Sequence, residues 1–161
     1  MRPVLGGLLA LLISSFVQVA HAGDSAQPPV SKAPADRVVQ ASFVPKWLMK
    51  ATLYHGGAKG VGARDSLGCR PVAMRTLAVD PTVIPRRTVV FIAETVGLPL
   101  GNGQKHDGYW YASDTGGAIK GKRIDLFTGN GSGSMKPIFQ FNLKKLTVVK
   151  AGAFKGCPPA K

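Results

Sequence analysis

The sequence predicts an all-β fold, a small barrel of six strands with one or two short helices. Six short apolar segments are separated by glycine and proline, the pattern of strands joined by turns. No segment keeps the apolar spacing of a long helix. Closure of six short strands into a barrel removes the exposed edges that an open sheet would leave. The predicted strands are 48–55, 74–79, 88–93, 109–113, 123–128 and 146–150.

Three segments between the strands have their own character. Residues 97–103 contain three glycines and predict a hairpin tip. Residues 117–121 predict a short helix, and residues 129–134, rich in glycine and serine, predict a flexible loop. Residues 116–122 match the spacing of a phosphate-binding loop, but Arg123 follows where Ser or Thr would hold the metal. The match therefore does not predict nucleotide binding.

The N-terminus predicts export. Arg2 precedes an apolar run at 4–19, and Ala20-His21-Ala22 fits a cleavage site, so residues 1–22 are predicted to be a signal peptide. Removing 22 of the 161 residues leaves 139, enough for one domain. No cysteine follows the cleavage site directly, and no second apolar run is long enough to span a bilayer. We expect a periplasmic or secreted monomer without a stable membrane anchor.

The mature chain divides by composition. Residues 23–45 are rich in proline and alanine and predict a disordered linker. Residues 46–157 predict the barrel domain, and residues 158–161 a C-terminal tail.

The strong positive charge predicts an anionic partner. The formal net charge is +13, or +12 once Arg2 is removed with the signal peptide. A cell-wall polymer, a lipid headgroup or nucleic acid would fit this charge. The basic residues are dispersed and no aromatic RNA-binding motif is present, so we do not predict nucleic-acid binding. A charge that serves solubility alone is the alternative.

Cys69 and Cys157 are predicted to form a disulfide, because an exported protein with an even number of cysteines favours pairing. The bond would close a loop of 88 positions, worth roughly 4–5 kcal/mol on the chain-entropy estimate. Two buried free thiols are the alternative. His55 and His106 lack metal-ligand spacing, so we predict neither a metal nor another cofactor.

Asp125 is the main candidate for chemistry. It lies inside the apolar run 123–128, and strand alternation places Ile124 and Leu126 on one face and Asp125 on the other. Aspartate is depleted in strands and costly to bury alone. Asp125 therefore has a function or pairs with Arg123 or a backbone amide.

Asp80 and Asp114 stand at the ends of two other predicted strands, where each is either a groove residue or a turn former. Glu94 is the single glutamate of the chain, so carboxylate chemistry here rests mainly on aspartate. Asp65 and Asp107 lie in glycine-containing loops and are expected to be solvated, and His55 is expected to be structural.

Three segments together resemble the 3D domain, a family named for three aspartates. They are 78–85 (AVDPTVIP), 112–121 (ASDTGGAIKG) and 124–127 (IDLF). The family includes small exported cell-wall proteins and the C-terminal barrel of membrane-bound lytic transglycosylase A. The resemblance covers residues 52–149. Two departures are Arg87, where the family usually has glycine, and residues 62–69, which do not follow the family's pattern.

The resemblance implies a double-psi β-barrel that binds peptidoglycan glycan strands. It implies a lytic transglycosylase, which cleaves the bond between N-acetylmuramic acid and N-acetylglucosamine and leaves a 1,6-anhydromuramoyl end. Asp125 would be the single catalytic acid and base, and Asp80 and Asp114 would line the same groove. The residues expected to contact substrate are Tyr54, Thr115, Gly116 and Lys120. For Tyr54 and Lys120, ordinary packing and ordinary exposure are the alternatives.

The expected mechanism requires a raised pKa at Asp125, which neighbouring carboxylates and a partly dry groove would supply. Three other functions are weighed against it. The first is a non-catalytic wall-binding module similar to expansin-like barrels. The second is a hydrolase that uses Asp114 and Asp125 as a carboxyl pair. The third is a hard cation bound by the three aspartates.

Overall fold

The computed structural model describes Val44 and residues 46–159, and it contains each of the six predicted strands. Their ends differ from the predicted ones by no more than three residues. The strands are β1 (Lys46–Gly56), β2 (Thr76–Val79), β3 (Thr88–Ile92), β4 (Tyr109–Asp114), β5 (Arg123–Asn130) and β6 (Lys145–Ala153).

The strands pair in one closed ring in the order β1, β5, β2, β4, β3, β6 and back to β1, which makes a closed barrel. The pairs β1–β5 and β2–β4 are parallel, and the other four are antiparallel. Because the ring closes, each of these strands has a partner on both sides. The predicted all-β architecture of six strands is therefore confirmed.

Apolar side chains fill the barrel and fix the strands in register. Along β5, Ile124 and Leu126 are fully buried, whereas Asp125 between them is only partly buried. Burial of each such apolar side chain contributes about 1.5–3 kcal/mol. The alternation thus anchors β5 through its apolar residues and leaves Asp125 on the opposite face. The core also includes Met49, Leu77, Val90, Trp110 and Val148.

The helices lie elsewhere than predicted. Two short 3-10 helices occupy Ala93–Thr95 and Ser132–Phe141. The helix predicted at 117–121 is wrong, because this segment is a turn in which Gly121 has a φ of +60°, outside the helical region. The segment 97–103 does end a hairpin-like pairing, since Pro99 bridges to Lys105.

The flexible loop predicted at 129–134 is also wrong, because β5 continues to Asn130 and a helix begins at Ser132. Hydrogen bonds of Ser134 explain why residues 129–134 adopt a regular structure. Its hydroxyl donates to the Gly131 carbonyl at 2.7 Å and bonds the Thr128 hydroxyl at 2.7 Å. The serine that suggested flexibility supplies hydrogen bonds that hold the segment against β5.

Some predictions fall outside this structure. The signal peptide at 1–22 lies outside the described residues, as does the linker at 23–45 apart from Val44. Of the tail, residues 158 and 159 are described. In the described part of the chain, no helix has the length and apolar character needed to cross a membrane.

Candidate active site

A cavity of about 360 Å³ beside β5 brings together three aspartates, Asp65, Asp114 and Asp125. Ala78 of β2 explains the meeting of two of them, because it pairs with Asp125 on β5 and with Asp114 on β4. Neighbouring strands lie about 4.8 Å apart, so the Cα atoms of Asp114 and Asp125 are roughly 10 Å apart across this small residue.

Asp125 has an unusually free carboxyl group. Its Oδ1 is buried and has no hydrogen-bond partner among the described residues. Burial raises the pKa of Asp125 to about 6, although the nearby Thr52 hydroxyl on the neighbouring strand opposes this shift, and the Asp114 carboxylate raises the pKa further. The Arg123 guanidinium acts weakly the other way. Asp125 therefore gains and loses its proton close to pH 6.

The pairing of Asp125 with Arg123, left open by the sequence, does not form. The Arg123 guanidinium instead donates to the Ala118 carbonyl at 3.3 Å. The Thr52 hydroxyl donates to the backbone carbonyl of Ile124 at 3.1 Å, beside the Asp125 carboxyl group. Neither neighbour occupies Oδ1, so this oxygen has no donor among the described residues, in a side chain that lines the cavity.

The Asp114 carboxylate, by contrast, accepts hydrogen bonds from protein donors at both of its oxygens. Its Oδ1 accepts hydrogen bonds from the amides of Ser66 at 3.0 Å and Thr115 at 2.8 Å. Its Oδ2 accepts the Tyr54 hydroxyl at 2.8 Å. These three donors fix the carboxylate in one orientation, so Asp114 acts on the cavity through its charge.

Tyr54 connects Asp114 to the wall of the cavity. Burial, reinforced by the Asp114 carboxylate, raises the pKa of Tyr54 far above its ordinary value. The phenol therefore keeps its proton and donates to Asp114. Its ring packs against Phe127 with 5.1 Å between ring centroids. Tyr54 thus packs against Phe127 and also lines the cavity, and its contact with substrate stays a prediction.

Thr115 and Gly116 line the cavity, and their contact with substrate stays a prediction. Gly116 approaches Ile119 closely, because a Cβ atom at position 116 would lie 2.9 Å from the Ile119 Cγ1 atom. Glycine is therefore required here for the segment after β4 to fold back along the cavity.

Asp80 and Lys120 do not line this cavity. Asp80 Oδ2 accepts the Gly121 amide at 2.7 Å, and its Oδ1 accepts the amide and hydroxyl of Thr82 at 3.0 and 2.8 Å. The Gly121 amide, followed by Thr82, holds the pKa of Asp80 below its usual value. Asp80 thus ties the turn before β5 to the end of β2. The nearby carboxylate that raises the pKa of Asp125 is that of Asp114. Asp80 was expected to line the same groove, and this expectation is corrected.

Asp65 is a cavity residue that the sequence reasoning missed. It was expected to be solvated, yet only 7% of the residue is exposed. Its Oδ1 accepts the amides of Leu67 at 3.0 Å and Cys69 at 2.8 Å, which closes a tight turn. The available signal was the sequence Asp65-Ser66-Leu67-Gly68-Cys69, in which an aspartate begins a turn that a half-cystine ends.

Asp107 was also expected to be solvated, and this is likewise corrected. It forms an ion pair and a hydrogen bond with the buried Arg75, with its side chain 30% exposed. A buried guanidinium requires an acidic partner, and the sequence alone did not bring the two residues together.

The predicted disulfide between Cys69 and Cys157 is confirmed, with 5.6 Å between the Cα atoms. It joins the Asp65 turn to the segment after β6. Arg87 supports the same segment, because its guanidinium donates to the Gly156 carbonyl at 2.8 Å. Arg87 has a φ of +68°, which explains the glycine expected at this position.

Two further spaces share lining residues with the cavity. A larger space of about 590 Å³ shares Val61, Gly62 and Pro71 with it and is also lined by Arg70. A second space of about 360 Å³ shares Thr115 and Gly116 with it and is lined by Arg86 and Lys120. Cationic side chains thus line all three spaces, because Arg64 lines the central cavity beside its carboxyl groups.

The arrangement offers no evident metal centre. Within residues 46–159, no three side chains of His, Cys, Asp or Glu are grouped to hold a metal ion. Asp80 is occupied by Gly121 and Thr82, so the three aspartates of the 3D resemblance do not converge on one point.

Three similar solved structures are lytic transglycosylases. MltA of E. coli with bound chitohexaose is 23% identical, with a TM-score of 0.43, over 60% of this chain and 30% of that chain. LtgG of Burkholderia pseudomallei is 30% identical, with a TM-score of 0.39, over 56% and 26%. The membrane-bound lytic murein transglycosylase of Agrobacterium tumefaciens is 28% identical, with a TM-score of 0.39, over 53% and 25%.

This chain therefore spans less than a third of the length of each of these proteins. No curated protein matches it. Residues 75–136 match the 3D domain family, and this range includes Asp80, Asp114 and Asp125. The resemblance found in the sequence is confirmed: the chain contains a 3D domain over residues 75–136.

Proposed function

We propose that this protein is an exported peptidoglycan lytic transglycosylase with Asp125 as its single catalytic acid and base. The observation that carries the proposal is the buried, partnerless Oδ1 of Asp125 in a cavity of the 3D domain. A carboxyl group whose pKa lies near 6 donates and accepts a proton under mild conditions.

The reaction needs two proton transfers, one from Asp125 and one to it. Protonated Asp125 donates its proton to the glycosidic oxygen as the bond from that oxygen to C1 of N-acetylmuramic acid breaks. The C6 hydroxyl oxygen of the same sugar then attacks C1, and the Asp125 carboxylate takes the hydroxyl proton. The products are a 1,6-anhydromuramoyl end and a free 4-hydroxyl on N-acetylglucosamine. No water is consumed, and Asp125 returns to its starting state.

Asp114 supports this chemistry through its charge. Its carboxylate raises the pKa of Asp125 and favours the protonated acid before the reaction. The positive charge that develops at C1 is stabilised by the same fixed carboxylate. Asp114 is ill placed to act as a hydrolytic base, because Tyr54, Ser66 and Thr115 already occupy its oxygens.

The remaining predicted residues bind the substrate or hold other residues in position. Thr115 and Gly116 lie between the central cavity and the one lined by Lys120, where a substrate carboxylate or acetamido oxygen would meet a cation. Asp80 is a positioning residue, because it holds Gly121 just before β5. Tyr54 positions Asp114.

The shape and charge of the cavity suit a glycan strand as partner. Two spaces that share lining residues with the cavity would give room for sugars beside the one at Asp125. The cations that line these spaces suit the carboxylates of muramic acid and its peptides, which agrees with the net charge of +13. The disulfide supports a periplasmic or secreted location. We further propose a monomer without a stable membrane anchor.

We also propose that the barrel is of the double-psi type. The feature that supports this assignment is the pair of parallel neighbours, β1–β5 and β2–β4, within an otherwise antiparallel ring of six strands. In this arrangement the two parallel pairs are joined through β2 and β5, which places Asp125 at their junction.

The test is mass spectrometry of fragments released from purified peptidoglycan by the mature protein and by Asp125→Asn. We expect anhydromuramoyl fragments from the wild type and about a hundred- to ten-thousandfold fewer from Asp125→Asn, because general acid–base catalysis contributes ~10²–10⁴-fold. Glu94→Gln is the matched control, since the same carboxylate-to-amide change lies outside the cavity and keeps the acceptor for the Thr147 amide.

Each product pattern decides between functions. Reducing ends would identify a hydrolase. Binding to peptidoglycan without fragments from either protein would leave a wall-binding module. Anhydromuramoyl fragments that persist in a folded Asp125→Asn variant would rule out Asp125 as the acid.

A further inference from the structure

Asp65 lines the cavity, and its second carboxylate oxygen has no donor among the described residues. Asp65 lines the cavity together with Asp125, although the residue is 93% buried, 7% being exposed. Its Oδ1 is occupied by the amides of Leu67 and Cys69. Its Oδ2 is buried, and no donor of the described residues reaches it.

The turn around Asp65 holds this oxygen in place. The Asp65 amide donates to the Cys69 carbonyl at 2.8 Å, and the Gly68 amide donates to the Asp65 carbonyl at 2.9 Å. Ser66 fastens the turn to β4, because its hydroxyl donates to the Ser113 carbonyl at 3.0 Å. The disulfide fixes the other end of the turn. Oδ2 cannot rotate into solvent without breaking the bonds that Oδ1 makes.

A buried carboxylate oxygen without a donor is unfavourable, so its presence needs a reason. Asp114 shows that the same cavity can satisfy a carboxylate completely with protein donors. Only Asp65 and Asp125 among the cavity's aspartates keep a buried, partnerless oxygen. Asp125 has a use for its oxygen in proton transfer. A donor on a bound ligand would satisfy the oxygen of Asp65.

We propose that Asp65 is a substrate-binding residue, whose Oδ2 accepts a hydrogen bond from an acetamido N–H or a hydroxyl of the sugar in the cavity. The inference rests on the proposed function, because it takes a glycan strand as the ligand. The charge of Asp65 also disfavours a substrate carboxylate at this point. Asp65 exchanges no proton with the substrate, so its removal weakens binding more than it slows bond cleavage.

Asp65→Asn is a sharp test. The asparagine Oδ1 still accepts the Leu67 and Cys69 amides, while Nδ2 turns the free acceptor into a donor. We expect KM for glycan strands to rise about ten- to fiftyfold, as for loss of a hydrogen bond to a charged group. We expect kcat to stay within about threefold of the wild type. Leu67→Ala is the control for a general disturbance of the turn, because Leu67 does not line the cavity.

The effect of Asp65→Asn is also measured on binding in the absence of catalysis. Chitohexaose is titrated into Asp125→Asn and into the double variant with Asp65→Asn, and its Kd should rise by the same factor as KM. A wild type that binds without cleaving, with binding weakened by Asp65→Asn, would support the role of Asp65 and overturn the enzyme activity. Unchanged KM and Kd in Asp65→Asn would overturn the role of Asp65 and leave the activity intact.

Three further outcomes would also overturn the proposed role of Asp65. They are a loss of kcat with KM unchanged, an equal loss of binding in Leu67→Ala, and a wild type that neither binds nor cleaves glycan, which would overturn the proposed function as well.

The de-N-acetylated hexasaccharide identifies the donor. If the donor is the acetamido nitrogen, the ammonium group that replaces it pairs with Oδ2. Asp65→Asn then weakens binding of this sugar more than that of chitohexaose. If the donor is a hydroxyl, both sugars lose affinity equally. If Asp65→Asn weakens the binding of neither sugar, the proposal is overturned.

Discussion

Asp80 follows β2 and Asp125 lies on the neighbouring strand β5, yet the protein treats their carboxyl groups in opposite ways. Asp80, just after β2, accepts three hydrogen bonds, and its pKa is lowered. Asp125, on β5, has a buried oxygen with no partner, and its pKa is raised to about 6. The same residue type is thus a structural tie at one site and, in the proposed function, the proton carrier at the other.

The difference comes from the backbone around each residue. Asp80 is followed by a turn, whose free amides and hydroxyl point back at the carboxylate. Asp125 lies within a strand, where the ladder already uses the backbone amides of its neighbours. Position within a strand therefore keeps Asp125 from acquiring the donors that a turn provides.

The largest effect expected from this difference is in the pH dependence of the reaction. Activity needs protonated Asp125, so the rate should fall about tenfold per pH unit above pH 6, or about a hundredfold at pH 8. The measurement is the initial rate of anhydromuramoyl release from pH 4 to pH 9. Asp114→Asn removes the nearby charge that raises the pKa of Asp125, so its alkaline limb should move to lower pH. A rate independent of pH between 5 and 8 would contradict the assignment.

A smaller effect is expected on stability, with opposite signs of pH dependence at the two sites. Because the pKa of Asp125 is raised by folding, its favourable contribution is present below its ordinary pKa and lost as pH rises through about 6. Asp125→Asn should therefore increase the free energy of unfolding at pH 8 by about 1–2 kcal/mol, allowing for solvent screening at a partly exposed group. Urea unfolding at pH 4 and pH 8 measures this.

The comparison between the two pH values is the control for that measurement. At pH 4 the wild-type side chain is largely protonated, so the variant should gain little there. An equal gain at both pH values would trace the effect to packing and not to charge.

The smallest effect on activity is expected at Asp80. Asp80→Asn cannot offer two acceptor oxygens, so it should lose the bond to the Gly121 amide while Asp125 remains in place. We expect kcat to fall by no more than about fivefold, with faster hydrogen exchange at the Gly121 amide. Since the pKa of Asp80 is lowered, its contribution to stability is lost as pH falls below its ordinary value. A loss as large as that of Asp125→Asn would place Asp80 in the chemistry.

The strands were predictable because their signals are local. Ile124 and Leu126 alternate with Asp125, and glycine and proline separate the segments, so the number of strands and nearly all their ends follow from the sequence. The short helices were not predictable in this way. The helix at Ser132–Phe141 depends on hydrogen bonds of Ser134 to Thr128 and Gly131, which a composition rich in glycine and serine does not reveal.

The site was predictable only in part. Asp125 stood out because a strand is an unusual place for a carboxylate, and Asp114 followed from the family resemblance. The Gly121 amide that donates to the Asp80 carboxylate lies 41 positions further along the chain. Asp65 reaches the cavity through a turn that is joined to β4 and to Cys157, so its burial depends on contacts far along the chain. Local pattern identifies unusual residues, whereas their partners depend on the tertiary structure.

The disulfide has a consequence for the order in which the protein is made. Cys69 precedes five of the six strands, and Cys157 follows the last of them. During synthesis, the turn that presents Asp65 therefore waits for the whole barrel sequence before its covalent link can form. One wall of the cavity is therefore completed last, when the two thiols are oxidised. A newly made, still reduced chain would contain Asp125 without the finished surface that faces it.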